Sequence, residues 1–108
     1  MNKTINYMQK FNPYYAVIFT SKLTNNTDGY EDMAANMIRL AKQQQGFRGF
    51  DNARNQIGIS VSYWDDLESI KKWKRNTDHL IAQQQGKEQW YQWYHTRICK
   101  VEHEYNMN

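Results

Sequence analysis

The sequence predicts one α+β domain: a four-stranded antiparallel sheet laid down in the order β-α-β-β-α-β, with both helices on one face. Three observations predict it. Apolar spacing switches between period two and helical period in that order along the chain. A chain of 108 residues has room for one hydrophobic core and no second domain. The segment Ala41-Lys42-Gln43-Gln44-Gln45-Gly46 is echoed forty residues later by Ile81-Ala82-Gln83-Gln84-Gln85-Gly86. Each closes a helix that follows a strand, as two β-α-β halves require.

Residues 1–13 read as an arm, and residues 14–106 as the domain. The arm is polar, with Ile5, Tyr7, Met8 and Phe11 as its apolar anchors. Pro13 pushes Asn12 toward extended geometry and suits the entry to a strand. Residues 14–21 are β-branched or aromatic almost throughout, which predicts the first strand. Both of its faces are apolar: Tyr15, Val17 and Phe19 on one, Tyr14, Ala16 and Ile18 on the other. A loop rich in Asn and Thr follows, with Thr27 or Asp28 placed to cap a helix. Its apolar residues Tyr30, Met33, Ala34, Met37, Ile38, Leu40 and Ala41 recur with helical spacing. Gly46 is a natural stop, with Phe47 folding back on the last turn.

Residues 47–54 and 56–64 predict a hairpin turning near Asn55. In its second strand Ile57, Ile59, Val61 and Tyr63 share one face, opposite Gly58, Ser60, Ser62 and Trp64. Asp65 or Asp66 caps the next helix, and Leu67, Ile70 and Trp73 give it a buried stripe. Asn76-Thr77-Asp78 predicts a break, with a recapped helix running on through Leu80 and Ile81 to Gly86. An aromatic stretch, residues 90–94, leads to a last strand over residues 95–105.

A sheet with both helices on one face leaves the other bare, and a solvated face should be polar. The first strand is apolar on both sides, so the bare face calls for a cover. A second copy of the sheet supplies one, and several large apolar side chains at about 1.5–3 kcal/mol each could hold such a homodimer together. Packing of Tyr14 and Ile18 under the N-terminal arm is the alternative. An RNA-binding domain of the same strand order wants aromatics in an Arg/Lys-Gly-aromatic pattern on its third strand. Residues 57–63 lack that pattern.

Composition narrows the function classes. Four Trp, eight Tyr and four Phe argue for a packed core despite a mean hydropathy of -0.99. A net charge of +3, with no basic run beyond Lys71-Lys72 and its neighbours Lys74 and Arg75, is a weak footprint for nucleic acid. The longest apolar stretch falls far below the ~20 residues that span a bilayer. Cys99 is the only cysteine, so no intrachain disulfide or thiolate cluster can form, and it reads as an inert, buried thiol. A reducing, cytoplasmic setting is the default that follows. No Ser-His-Asp order, phosphate-cradling loop, dinucleotide fingerprint or metal-ligand spacing is present. His95 and His103 lie too far apart along one strand to share a metal.

Residues 13–21 followed by Gln45-Gly46-Phe47 resemble the antibiotic biosynthesis monooxygenase family. So do Val61-Ser62-Tyr63-Trp64, Trp73 followed by His79, and Trp90-Tyr91 ahead of Arg97-Ile98 and Val101-Glu102. The similarity runs from about residue 12 to residue 105, with the Tyr63-Trp64, Trp73 and His79 stretch its most specific part. The resemblance implies a ferredoxin-like protomer and a dimeric α+β barrel. Its members include oxygenases of polyketide-type aromatic substrates that use neither metal nor flavin, haem-degrading enzymes, and proteins with no known activity. The haem-degrading branch uses an Asn on the first strand and a His ten residues after the helical Trp. Here residues 14–21 contain no Asn, and the position ten after Trp73 is Gln83.

The expected reaction is therefore a cofactor-free oxygenation of an aromatic or polycyclic small molecule. A non-catalytic dimer that binds a small apolar ligand or serves a stress role is the competing expectation. His79 is the candidate base, since an imidazole can take a proton from an activated phenol or carbon acid, although a surface or helix-capping histidine satisfies the sequence equally well. Trp64 and Trp73 offer rigid apolar walls for a planar ligand, with core packing as their alternative. Tyr63 and Arg97 could orient an enolate-like substrate. No metal or cofactor is expected.

Overall fold

A computed structural model describes residues 11–84 and 87–107. Strand β1 (Tyr14–Leu23) leads into helix α1 (Tyr30–Lys42), then strands β2 (Phe47–Arg54) and β3 (Gly58–Trp64). Helix α2 (Leu67–Gln84) and a single-turn helix α3 (Lys87–Trp90) precede strand β4 (Tyr91–Val101). The four strands form one antiparallel sheet in the order β2-β3-β1-β4. That is the α+β order expected from the spacing. The arm proposed for residues 1–13 falls largely outside the described residues. The second copy of the glutamine echo closes on Gln85 and Gly86, which also lie outside them.

Period two sorts β1 as expected. Tyr15 and Val17 pack with Phe47 and Trp73 around Ala41, Trp64 and Ile70, so both helices lie on one side of the sheet. Trp64 is fully buried there, its indole N–H donating to Ser62 Oγ at 2.8 Å. It meets Phe47 edge-on at 5.4 Å and lies 5.7 Å from Trp73 at a 30° tilt. Gly46 joins the two helices to this core. Its φ of 89° suits only glycine, and a Cβ would stand 2.2 Å from Ser69 Oγ at the start of α2. The Asp65 N–H donates to its carbonyl at 2.8 Å.

Four local expectations are corrected. Residues 76–78 do not break α2. Thr77 Oγ1 donates to the Lys74 carbonyl at 2.9 Å, and Lys74 pairs with Asp78 at 3.0 Å, so these polar groups find partners inside a continuous helix. The N-cap of α1 is Gly29, with φ of 83° and no side-chain cap bond. The Asp28 carbonyl there accepts the Trp90 indole N–H at 2.7 Å. Strand β4 begins at Tyr91, four residues before the expected start, because α3 and the buried Trp90 anchor the chain at the far end of β1. Cys99 is exposed, since it sits on the edge strand β4 opposite Ala16, on the face that no helix covers among the described residues. By contrast, the expected cap of α2 is present: Asp66 Oδ1 accepts the Ser69 N–H at 2.8 Å.

The opposite face carries Ala16 and Ile18 from β1, with Ile59, Val61 and Tyr63 alongside them on β3. Ile18 pairs directly with Val61, and Ile59 is 47% exposed. The β2–β3 register slips at Arg48. The Arg48 guanidinium lies 4.2 Å over the Tyr14 ring and 3.1 Å from Asp65. No helix among the described residues is long and apolar enough to cross a membrane.

Candidate functional site

The helix-side surface of β1 is unusual for a central strand. Tyr15, Val17 and Phe19 are only half-buried, and Ile98, which pairs with Val17 on β4, is 52% exposed. The helical layer therefore stops short of the β1–β4 pair and leaves an uncovered, largely apolar strip there, a candidate cleft that Thr96 and Lys100 of β4 also line. Phe19 and Ile98 are its floor, and Tyr94 stacks on Phe19 at 5.4 Å and 27°. Tyr91 meets Phe19 and Tyr30 edge-on at 5.6 and 5.9 Å.

One end of the floor is polar. Arg54, at the end of β2, reaches across Gly58 on β3 to Ser21 on β1, donating to Ser21 Oγ at 2.6 Å and to its carbonyl at 3.4 Å. Its guanidinium also stands 5.9 Å from the Tyr30 ring centroid. Burial, then the neighbouring Tyr30, holds the Tyr91 hydroxyl well above the usual phenol range against the pull of Arg54. Tyr91 is thus a neutral phenol at any physiological pH.

The predicted site residues divide between two places. Trp64 and Trp73 come together on the helix side. Trp64 is wholly enclosed, while Trp73 is half-buried on the α2 stripe that continues through Thr77, Leu80 and Ile81. His79 is exposed on the same helix. Six residues of helix set it about 9 Å along the axis from Trp73 and about 120° around it. Tyr63 and Arg97 lie on the opposite face of the sheet. Tyr63 donates to Asp51 at 2.9 Å, and Arg97 pairs in register with Ile18. Burial first, then Asp51, raises the Tyr63 hydroxyl above its usual value. Among the described residues no group of three or more His, Cys, Asp or Glu side chains could hold a metal ion.

No protein-family model matches the chain. YqjZ, an uncharacterised protein of Bacillus subtilis, is 42% identical to it over 92 residues, covering 83% of this chain and 81% of YqjZ. The chain belongs to the family of YqjZ. Its fold is that of the antibiotic biosynthesis monooxygenases. SnoaB, a cofactor-independent oxygenase from Streptomyces nogalater, matches with a TM-score of 0.69 at 8% identity, over 84% of this chain and 95% of SnoaB. A candidate antibiotic biosynthesis monooxygenase from Nitrosomonas europaea matches with a TM-score of 0.63 at 14% identity, over 82% of this chain and 91% of that one.

Phe19, Tyr94 and Ile98 of the floor, with Arg54, Ser21, Tyr30 and Tyr91 at its polar end, are members of this candidate cleft that sequence reasoning missed. One signal was available. Gly58 breaks an otherwise β-favouring run opposite the end of β2, and a glycine inside a strand marks a close approach.

Proposed function

We propose that the chain is a homodimeric oxygenase that takes a planar aromatic small molecule into the cleft over β1 and β4, in a reducing, cytoplasmic setting. The observation that supports this most is the partly exposed floor of Phe19, Tyr94 and Ile98, a largely apolar surface on the helix side of the β1–β4 pair that only Thr96 interrupts. Such a floor gains free energy when a flat ring covers it. The reaction needs no group beyond substrate, O2 and a base. The base removes a proton from an activated C–H of the substrate, and the carbanion adds to O2 with electron transfer. The peroxide anion takes up a proton and loses water, leaving a carbonyl in place of the methylene. Trp73 would wall the ring, and His79, exposed on the same helix, is the candidate base. Tyr63 and Arg97, on the opposite face, fit a role at the dimer contact better than one against the ring.

One observation favours a second reading. The side chains along the floor are Tyr15, Val17 and Phe19 of β1 and Tyr94, Thr96, Ile98 and Lys100 of β4, with no histidine or carboxylate among them. A binding domain without catalysis fits that lining. O2 uptake with anthrone- or quinol-type substrates separates the two. The oxygenase should consume O2 in proportion to substrate, and His79→Ala should slow it by about 10²-fold or more. An uptake rate unchanged by that substitution removes His79 as base. No uptake, together with tight binding of the same compounds, establishes the binding domain.

A further inference from the structure

Arg54 stands exposed at the end of the edge strand β2, where the candidate cleft closes. Among the described residues no carboxylate forms a salt bridge with it. It is held in place by a fully buried serine, whose hydroxyl takes one N–H at 2.6 Å. Its path to Ser21 is open only because position 58 is glycine. A Cβ there would come within 2.2 Å of the guanidinium carbon and one of its nitrogens. Ser21, Phe19 and Tyr94 share one side of the sheet, and Tyr94 pairs with Ser21 in register. The cation thus stands at the end of the aromatic floor, with donors left over beyond the two that Ser21 engages. A guanidinium has five donors in a planar fork that matches two anionic oxygens.

We propose that Arg54 is an anion subsite: the cleft takes aromatic ligands that carry a carboxylate or phenolate, with the ring over Phe19 and Tyr94 and the anionic oxygen on the guanidinium. The proposal rests on the cleft being the ligand site. Calorimetric titration of the full-length protein with naphthoate and with neutral naphthalenemethanol tests the two separately. Naphthalenemethanol binding reports the cleft alone. Naphthoate should bind about tenfold or more tightly than naphthalenemethanol, since a hydrogen bond to a charged group carries at least that much. Arg54→Gln should abolish this preference and leave naphthalenemethanol within about twofold of wild type. Gly58→Ala keeps the charge but pushes the guanidinium aside, and it should cause the same selective loss. Equal weakening of both ligands by either variant would overturn the subsite in favour of a structural Arg54. So would a naphthoate preference that survives in both variants. Failure of wild type to bind either compound would overturn the cleft and the subsite together.

Discussion

Tyr14 ties the start of the sheet to the segment after its last strand. Its hydroxyl donates to the Glu104 carboxylate, and its ring lies under Arg48 and 6.1 Å from Tyr63. That bond, followed by one from Asn106, holds the Glu104 carboxyl below its usual range. A carboxyl with a depressed folded-state pKa adds stability above its unfolded value and loses it as pH falls through the folded one. The melting temperature of wild type should therefore fall more steeply than that of Tyr14→Phe as the buffer is taken below about pH 5, and the two should converge in acid. Parallel curves would mean that the bond contributes no pH dependence. Nothing local in the sequence announces a pair 90 positions apart. Tyr14 reads as an apolar strand residue, and only the path of the chain after β4 brings Glu104 to it.

Helix α2 shows what short polar runs can hide. Asn, Thr and Asp favour caps because their side chains compete for backbone groups, so residues 76–78 predicted a break. In a helix held on one side by Ile70 and Trp73, Thr77 and Asp78 bond back within the turn instead, and Asn76 donates to Gln44 Oε1 at 3.2 Å. Packing outweighs propensity there. Thr77→Pro discriminates the two arrangements. In a continuous helix it removes a backbone bond and should cost about 3 kcal/mol or more in chemical unfolding. A substitution cost near zero would restore the break. The caps divide in a similar way. Asp66 was legible because its own side chain makes the bond, whereas the start of α1 depends on Trp90, 61 residues beyond Gly29, for the use of the Asp28 carbonyl.

At the scale of the molecule, the face opposite the helices is the open question that the fold poses. Ala16, Ile18, Ile59 and Val61 form an apolar strip over which no helix lies among the described residues. The proposed cover is a second copy. Sedimentation should show wild type as a dimer and Val61→Glu as a monomer that remains folded by circular dichroism. Burying a charge opposite the partner's apolar strip forfeits about 1.5–3 kcal/mol per affected side chain and adds a desolvation cost. A monomeric wild type would send the strip back to the N-terminal arm as its cover.

The sequence by itself determined the order of the elements, the two-faced character of β1 and the separation of Tyr63 from Trp64. All three follow from periods of two and 3.6 within a single segment. Tertiary structure alone decided where the candidate site lies. It set Arg97 beside Ile18, away from the helices, and it carried Arg54 over Gly58 to Ser21. Those outcomes depend on strand register and on how far the helices extend over β1 and β4. Both are fixed by packing between segments distant in sequence, which no local pattern records.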